Sequence, residues 1–267
     1  GVTLLIDIGT NGEMVLARDG ELFAASTAAG PAFEGMNISC GMRAAAGAVE
    51  RYVLQDDGSP EVRTIANAPA RGICGSGLLD IVGELAAYGG IDARGRLAAA
   101  GAGTMGRHIE MIHERRVLRV AGNVTLDQKD IRQVQLAKAA IRAGIDLLLA
   151  KAGIAPDAVT RILIAGSFGY HLRVESLLNL GLLPQVFAGR IEFVGNTSKT
   201  GAQAFLLNRD THRRMQEVVT RVRVMNLADE PLFEKEFVAA MTFPKGVSAH
   251  AKNHPESHRN QASSANH

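Results

Sequence analysis

Apolar and polar positions alternate in short runs at the start of the chain. Residues 3–8, 13–18 and 21–26 read as three strands, the last two joined at Asp19-Gly20, a dipeptide suited to a two-residue hairpin turn. Residues 48–55 and 61–66 pattern as strands around the turn at 56–60. From Ser76 to Tyr88 the apolar residues Leu78, Leu79, Val82 and Leu85 recur at helical spacing. Residues 89–108 are rich in glycine and alanine and read as a surface connection, and 117–126 read as strand. Asp127 stands where it would cap a helix running to about Lys151, with Ile131, Val134, Ala137, Ile141, Ile145 and Leu148 on one stripe. Beyond it, strands at 161–165, 191–195 and 221–226 alternate with helices near 173–180, 198–208, 210–219 and 231–241. From Pro244 onward the chain is polar, and residues 244–267 are expected to be a disordered tail.

A three-stranded meander followed by strand–helix units predicts an α/β fold of mixed sheets flanked by helices. Two halves, 1–126 and 127–243, would leave a cleft between them, with the helix at 127–151 as the bridge. Composition changes this picture little: 46% of residues are apolar, 21% charged and 4% aromatic, so the core is aliphatic. A net charge of +2 points to neither a nucleic-acid partner nor a membrane surface, and no apolar run reaches the roughly 18 residues of a membrane span. Two cysteines, Cys40 and Cys74, suit a reducing cytoplasm. The chain opens at Gly1 inside a strand pattern without a signal peptide, and it reads as a piece of a longer protein.

The candidate chemistry sits where strands end in glycine-rich turns. Asp7 closes the first apolar run and precedes Gly9-Thr10-Asn11-Gly12. A carboxylate there suits a Mg²⁺ ion, held directly or through water, while Thr10, Asn11 and the backbone at Gly9 and Gly12 would face phosphate oxygens. The alternative is a carboxylate that caps its own turn. Gly75, Ser76 and Gly77 open a helix, whose N-terminus favours anions, or else form a loop that needs positive φ. Gly166, Ser167, Phe168 and Gly169 follow the strand at 161–165 and would flank a base and ribose. Asn196, within Gly195-Asn196-Thr197-Ser198, lies at a second strand-to-helix junction. Glu34, Gln128, Lys129 and Asp130 are polar groups beside glycines or a helix start, suited to orienting a water, to contacting a γ-phosphate or simply to capping.

Other patterns carry little. Gly101 to Gly106 matches G-x-G-x-x-G, but no strand pattern precedes it. His108 and His113 lack the H-E-x-x-H spacing, and His250, His254 and His258 fall in the polar tail.

Several longer stretches are specific. The segments 34–44, 71–78, 125–133 and 195–198, together with the Asp7–Glu13 and Ile164–Gly169 turns, resemble the C-terminal domain of reductive activators of corrinoid proteins. That family is a branch of the acetate-kinase, sugar-kinase, chaperone and actin superfamily, and the resemblance runs from Val2 to about Phe243. It implies two actin-like, ribonuclease H-like subdomains clamping ATP; beside it, the residues themselves make Asp7 and Glu34 the catalytic candidates and Asp7 the Mg²⁺ partner. It also implies a homodimer and an ATPase that supports one-electron reduction of a Co(II) corrinoid methyl carrier to Co(I). The electron would enter through a two-iron two-sulfur domain that this chain lacks, since two cysteines cannot supply four thiolates. Three other functions stand beside this one: a small-molecule kinase, an acyl-CoA dehydratase-type activator, and a nucleotide-switched scaffold. The kinase reading is weakened because Gly72–Gly77 carries no carboxylate to activate a hydroxyl.

Overall fold

The structure is a computed structural model that describes residues 1–166 and 172–244. Its main sheet has six strands. β1 (Val2–Ile8), β2 (Asn11–Arg18) and β3 (Glu21–Ala28) form the antiparallel meander. Asp19 and Gly20 both take positive φ, which matches their turn to the right-handed twist of the hairpin. β10 (Val159–Ala165) pairs parallel to β1, β11 (Ile191–Gly195) parallel to β10, and β12 (Val222–Met225) parallel to β3. The order is therefore β11-β10-β1-β2-β3-β12, which puts β1 in the interior. Strands from both sides of residue 126 share this sheet.

One face of the sheet is covered by α3 (Gln128–Lys151), the helix capped by Asp127. Asp127 accepts from the amides of Lys129 and Asp130, and Asp130 accepts from the Asp127 amide, a complete capping box. Period-2 alternation turns Leu4, Ile6, Gly12, Met14 and Leu16 inward. The contact is close because small residues alternate with large ones across it. A Cβ on Gly12 would stand 2.9 Å from Ile141, and one on Gly144 would stand 2.6 Å from the Met14 methyl. α7 (Phe233–Ala240) packs against α3 as well, its C-terminal end met by Gln135 and Lys138.

Residues 29–127 are inserted between the meander and α3. They hold a three-stranded sheet of β4 (Ala48–Leu54), β5 (Pro60–Thr64) and β6 (Gly72–Ile73). Against it lies α1 (Gly75–Ala87), buried along nearly its whole length. α1 carries two buried carboxylates. Asp80 accepts from the Tyr52 amide and from the hydroxyl of Ser176 in α4 (Val174–Asn179), and Glu84 accepts from the Leu54 amide and from Arg173. Burial raises the Asp80 carboxyl above its usual range, and the Ser176 hydrogen bond offsets part of that. These pairs fasten the insert to the segment that follows β10.

The segment 117–126, expected to be one strand, is a hairpin. β8 (Arg115–Ala121) turns at Gly122 into β9 (Val124–Asp127), because Gly122 sits at positive φ. β7 (Ile109–Ile112) adds a third strand through His113 and Glu114, both at positive φ without the usual glycine or asparagine. The region 89–108 is more than a surface connection. Ile91 bridges Leu97 across a turn, and α2 (Gly103–Gly106) brings Met105 into the core. The remaining helices, α5 (Thr197–Leu207) and α6 (Arg209–Arg221), lie beyond β11 with their side chains largely exposed. Among the described residues no helix is long and apolar enough to cross a membrane. The expected tail lies outside the described residues, except for Pro244.

Candidate functional site

The site begins where β1 ends. Alternation that buries Ile6 and Ile8 puts Asp7 on the opposite face, half-buried, between Glu13 of β2 and Ala165 of β10. Its Oδ2 accepts a hydrogen bond from Ser198 Oγ at 3.0 Å. Ser198 lies in the first turn of α5, whose N-cap is Asn196, held by its acceptance of the Lys199 amide at 2.8 Å. Gly166 closes the other side. At φ +126°, a Cβ there would stand 2.6 Å from the Ile8 carbonyl and 3.3 Å from Asp7 Oδ1, and its amide donates to the Gly195 carbonyl. Asp7, Gly166, Asn196 and Ser198 thus converge on one sheet end. The sequence singled out Asp7, Gly166 and, within Gly195–Ser198, Asn196, but the residue that touches Asp7 is Ser198, two positions into the helix. Ser167, Phe168 and Gly169 lie outside the described residues.

Beyond Asp7 the chain turns through Gly9, Thr10 and Asn11. The Gly9 amide donates to the Asn11 carbonyl, and the Gly30 amide donates to the Thr10 carbonyl. Thr10 Oγ1 donates to Glu34 Oε1 at 2.6 Å. Glu34 ends a 3₁₀ turn, Pro31–Glu34, that Gly35 terminates in the left-handed conformation. Thr10 and Asn11 are exposed at the mouth of the site. Gly12 is different: it is buried under α3, so its missing side chain serves the sheet–helix contact rather than the turn.

Glu34 also lines a cavity of about 430 Å³ with Phe33, Met42, Arg43, Glu50 and Ser76. Gly75 and Ser76 form part of its wall at the N-terminus of α1. The Cys74 thiol meets the Val49 carbonyl and the Ser76 hydroxyl but caps no helix amide, and the first turn carries no acidic residue. The leading amides of α1 are therefore not neutralised from within, which suits a negative charge. The glycines here have a steric role as well. A Cβ on Gly75 would stand 1.9 Å from the Phe33 carbonyl and one on Gly77 would stand 2.1 Å from the Val49 carbonyl. Gly77 faces β4, away from the cavity.

Asp130 supports this wall from behind. Its Oδ1 accepts from both the amide and the hydroxyl of Ser39, in the loop that carries Met36, Met42 and Arg43 to the cavity. Burial raises its carboxyl above the usual range, opposed by the hydrogen bonds from the Asp127 and Ser39 amides. Gln128 and Lys129 face elsewhere, toward the turn at 92–97. Cys40 and Cys74 are both free thiols.

Asp7 is in no ion pair among the described residues; its one side-chain partner is a neutral hydroxyl. No group of three or more His, Cys, Asp or Glu suited to a metal occurs among those residues. This donor set does not build a protein-made metal cage. It does fit Mg²⁺ held by a single carboxylate, with water and ligand oxygens completing the shell.

Comparison with known proteins identifies the family. Residues 1–253 match the family model described as the C-terminal domain of RACo, the ASKHA domain. A corrinoid activation enzyme, RamQ, of Eubacterium limosum is 33% identical over 258 residues, which cover 91% of this chain and 43% of that protein. A [Co(II) methylated amine-specific corrinoid protein] reductase of Methanosarcina barkeri is 30% identical over 247 residues, covering 84% of this chain and 42% of that protein. A solved reductive activator for corrinoid, iron-sulfur protein superposes with a TM-score of 0.82 at 36% identity, covering 91% of this chain and 40% of its own. The chain therefore spans about two fifths of the length of these relatives. The expected actin-like class of mixed sheets flanked by helices is borne out, and the chain belongs to the family of RACo C-terminal ASKHA domains.

Proposed function

We propose that this domain binds ATP with Mg²⁺ at the end of β1 and hydrolyses it, and that the cycle serves reductive activation of a corrinoid protein. The observation that carries the reading is the convergence at Asp7. A half-buried carboxylate without a cationic partner meets the first turn of α5 through Ser198, and three residues on Thr10 leads to Glu34 and the open amides of α1. A carboxylate and two helix N-termini around one turn is a donor set for a metal-bound polyphosphate. Asp7 would hold Mg²⁺, which would neutralise charge on the phosphate oxygens. Thr10, Asn11 and the amides at Gly75 and Ser76 would orient the phosphates, while the Gly9 amide, donated to the Asn11 carbonyl, would hold the turn that presents them. Gly166 and Asn196 would flank the nucleoside. Glu34, fixed by Thr10, is the candidate to orient the attacking water.

The relatives are named for activating or reducing corrinoid proteins. By analogy, the partner here is a Co(II) corrinoid methyl carrier that gains one electron to become Co(I). The two thiols of this chain do not make a four-thiolate cluster set, so the electron is assigned to a separate iron–sulfur domain and ATP closure to this one. Since a ligand shifts a conformational equilibrium only by its differential affinity, ATP must favour the partner-binding form more than ADP does.

Calorimetric titration with a non-hydrolysable ATP analogue and Mg²⁺ tests the site. Asp7→Asn should weaken magnesium-dependent binding by on the order of tenfold or more, the loss of one charged contact. Unchanged affinity in the variant would reject the assignment. Partner-stimulated phosphate release by the wild type, with none to sugars or short acids, separates the activator from a kinase.

A further inference from the structure

On the side of α3 away from Asp130's contact with Ser39 lies an open trough of about 660 Å³. Arg94, Arg96, Lys129 and Arg132 line it, and Val238 and Met241 supply apolar surface. Four cations line the trough and no acidic side chain does. Positive charge is therefore gathered along this trough.

The trough is a built feature. Asp92 Oδ1 accepts from the amides of Arg94 and Arg96 and so shapes the turn that presents them. The Gln128 carboxamide accepts from the Leu97 amide and donates to the Gly95 carbonyl, and Gln135 donates to the carbonyls of Arg94 and Met241. Gly95, at φ +77°, lies where a Cβ would stand 2.9 Å from the Phe243 ring. Three segments are thus locked together, and the cations stand on a fixed backbone. The charges are scarcely answered from within. Arg96 reaches Asp92 only at 3.9 Å, and among the described residues Arg94, Lys129 and Arg132 are in no ion pair. All four side chains are exposed and ring an open trough rather than an enclosed pocket. That geometry suits several carboxylates spread along a protein segment, each met by a guanidinium or ammonium. It does not suit one small anion, which such side chains would leave in water.

We infer that this trough is a docking surface for an acidic segment of a protein partner. The inference stands apart from the nucleotide site and goes beyond it. The test is fluorescence anisotropy with a labelled oligoglutamate peptide on the full chain. The variant is Arg94→Glu with Lys129→Glu. Lys129 sits in the first turn of α3, where an acidic residue complements the helix dipole, so this exchange does not threaten the fold. A control carries the same charge change on α6, Arg209→Glu with Arg214→Glu. Expected is peptide binding that weakens as sodium chloride rises, lost by on the order of tenfold in the trough variant and by less than about twofold in the control. Affinity for the ATP analogue should be the same in all three proteins, which keeps this result separate from that of the Asp7 variant. Absence of binding, equal loss in both variants, or displacement of the peptide by tripolyphosphate at lower concentration than unlabelled peptide would each overturn the inference, the last in favour of a small-anion site.

Discussion

Replacing Arg173 by methionine removes the cationic half of the bond that fastens α1 to the start of α4. Arg173 donates to Glu84 Oε1 at 2.9 Å, with the side chains 18% and 5% exposed. Methionine keeps much of the apolar stem but leaves a buried carboxylate answered only by the Leu54 amide at 3.3 Å. Breaking a buried pair from one side costs about 3–5 kcal/mol, and the partial exposure of Arg173 sets the expectation at the lower end, ~3 kcal/mol. Glu175 lies 3.8 Å from Arg173 but is 65% exposed, so its loss adds little. Set against a total stability of about 5–15 kcal/mol, a loss of ~3 is easily seen as a lower urea midpoint at unchanged slope. The second step is diagnostic. Adding Glu84→Gln keeps an acceptor for Leu54 and discharges the stranded group, and should recover about 2 kcal/mol. Loss below about 1 kcal/mol in Arg173→Met, or a double variant no more stable than the single one, would refute the view that an uncompensated buried charge is the cost.

Three further outcomes follow from the same contacts. Gly75→Ala sets a Cβ 1.9 Å from the Phe33 carbonyl, so backbone must move, and melting should show a loss of about 3 kcal/mol or more. Lys138 donates to the carbonyls of Ala240 and Thr242, and burial lowers it to about 7 from 10.5. The unfolded chain therefore binds more protons from pH ~7 up to the ordinary lysine range, and stability should rise with pH across that window by up to about 1.4 kcal/mol per unit, a slope that Lys138→Met abolishes in denaturation at several pH values. Asp130→Ala loses one half of the capping box and both bonds to Ser39, about 2–4 kcal/mol in all, whereas Ser39→Ala should cost about 1 kcal/mol. Equal losses in these two would deny Asp130 its role in holding the loop.

Much of the fold was legible where period and punctuation agree. The meander follows from alternation around Asp19-Gly20, and α3 follows from an aspartate cap ahead of a continuous apolar stripe. What stayed hidden had no local signal. His113 and Glu114 adopt left-handed φ without the residues that usually announce it, so β7 could not be read. The pairing of β12 with β3 joins positions about 200 residues apart, and no pattern within either strand specifies that choice. The site was legible as strand ends. Thr10 and Glu34 were each named from the sequence, but nothing in it paired them across 24 residues, and the contact of Ser198 to Asp7 depends on how α5 is aimed beyond β11.

The glycines show why a motif alone could not finish the argument. A glycine lets backbone approach a ligand, and by the same geometry it lets backbone approach backbone. At Gly166 the two uses coincide, since the space a side chain would fill lies against Ile8 and Asp7, at the site itself. At Gly12 and Gly77 they separate, because α3 and β4 already fill the space. Gly75 stands between the two: its absent side chain answers Phe33, while its place at the mouth of the α1 cavity leaves the amide end of the helix open. The weight of the functional reading therefore moves from the glycine count to the groups that have no packing reason to be where they are. Those are a carboxylate at Asp7 without a cation, a Thr10 hydroxyl spent on Glu34, and a helix start without an internal cap. The carboxylate and the helix start leave electrostatic demand that the described residues do not meet, and the proposed magnesium-bound polyphosphate would answer both, with the Thr10–Glu34 bond holding the turn between them.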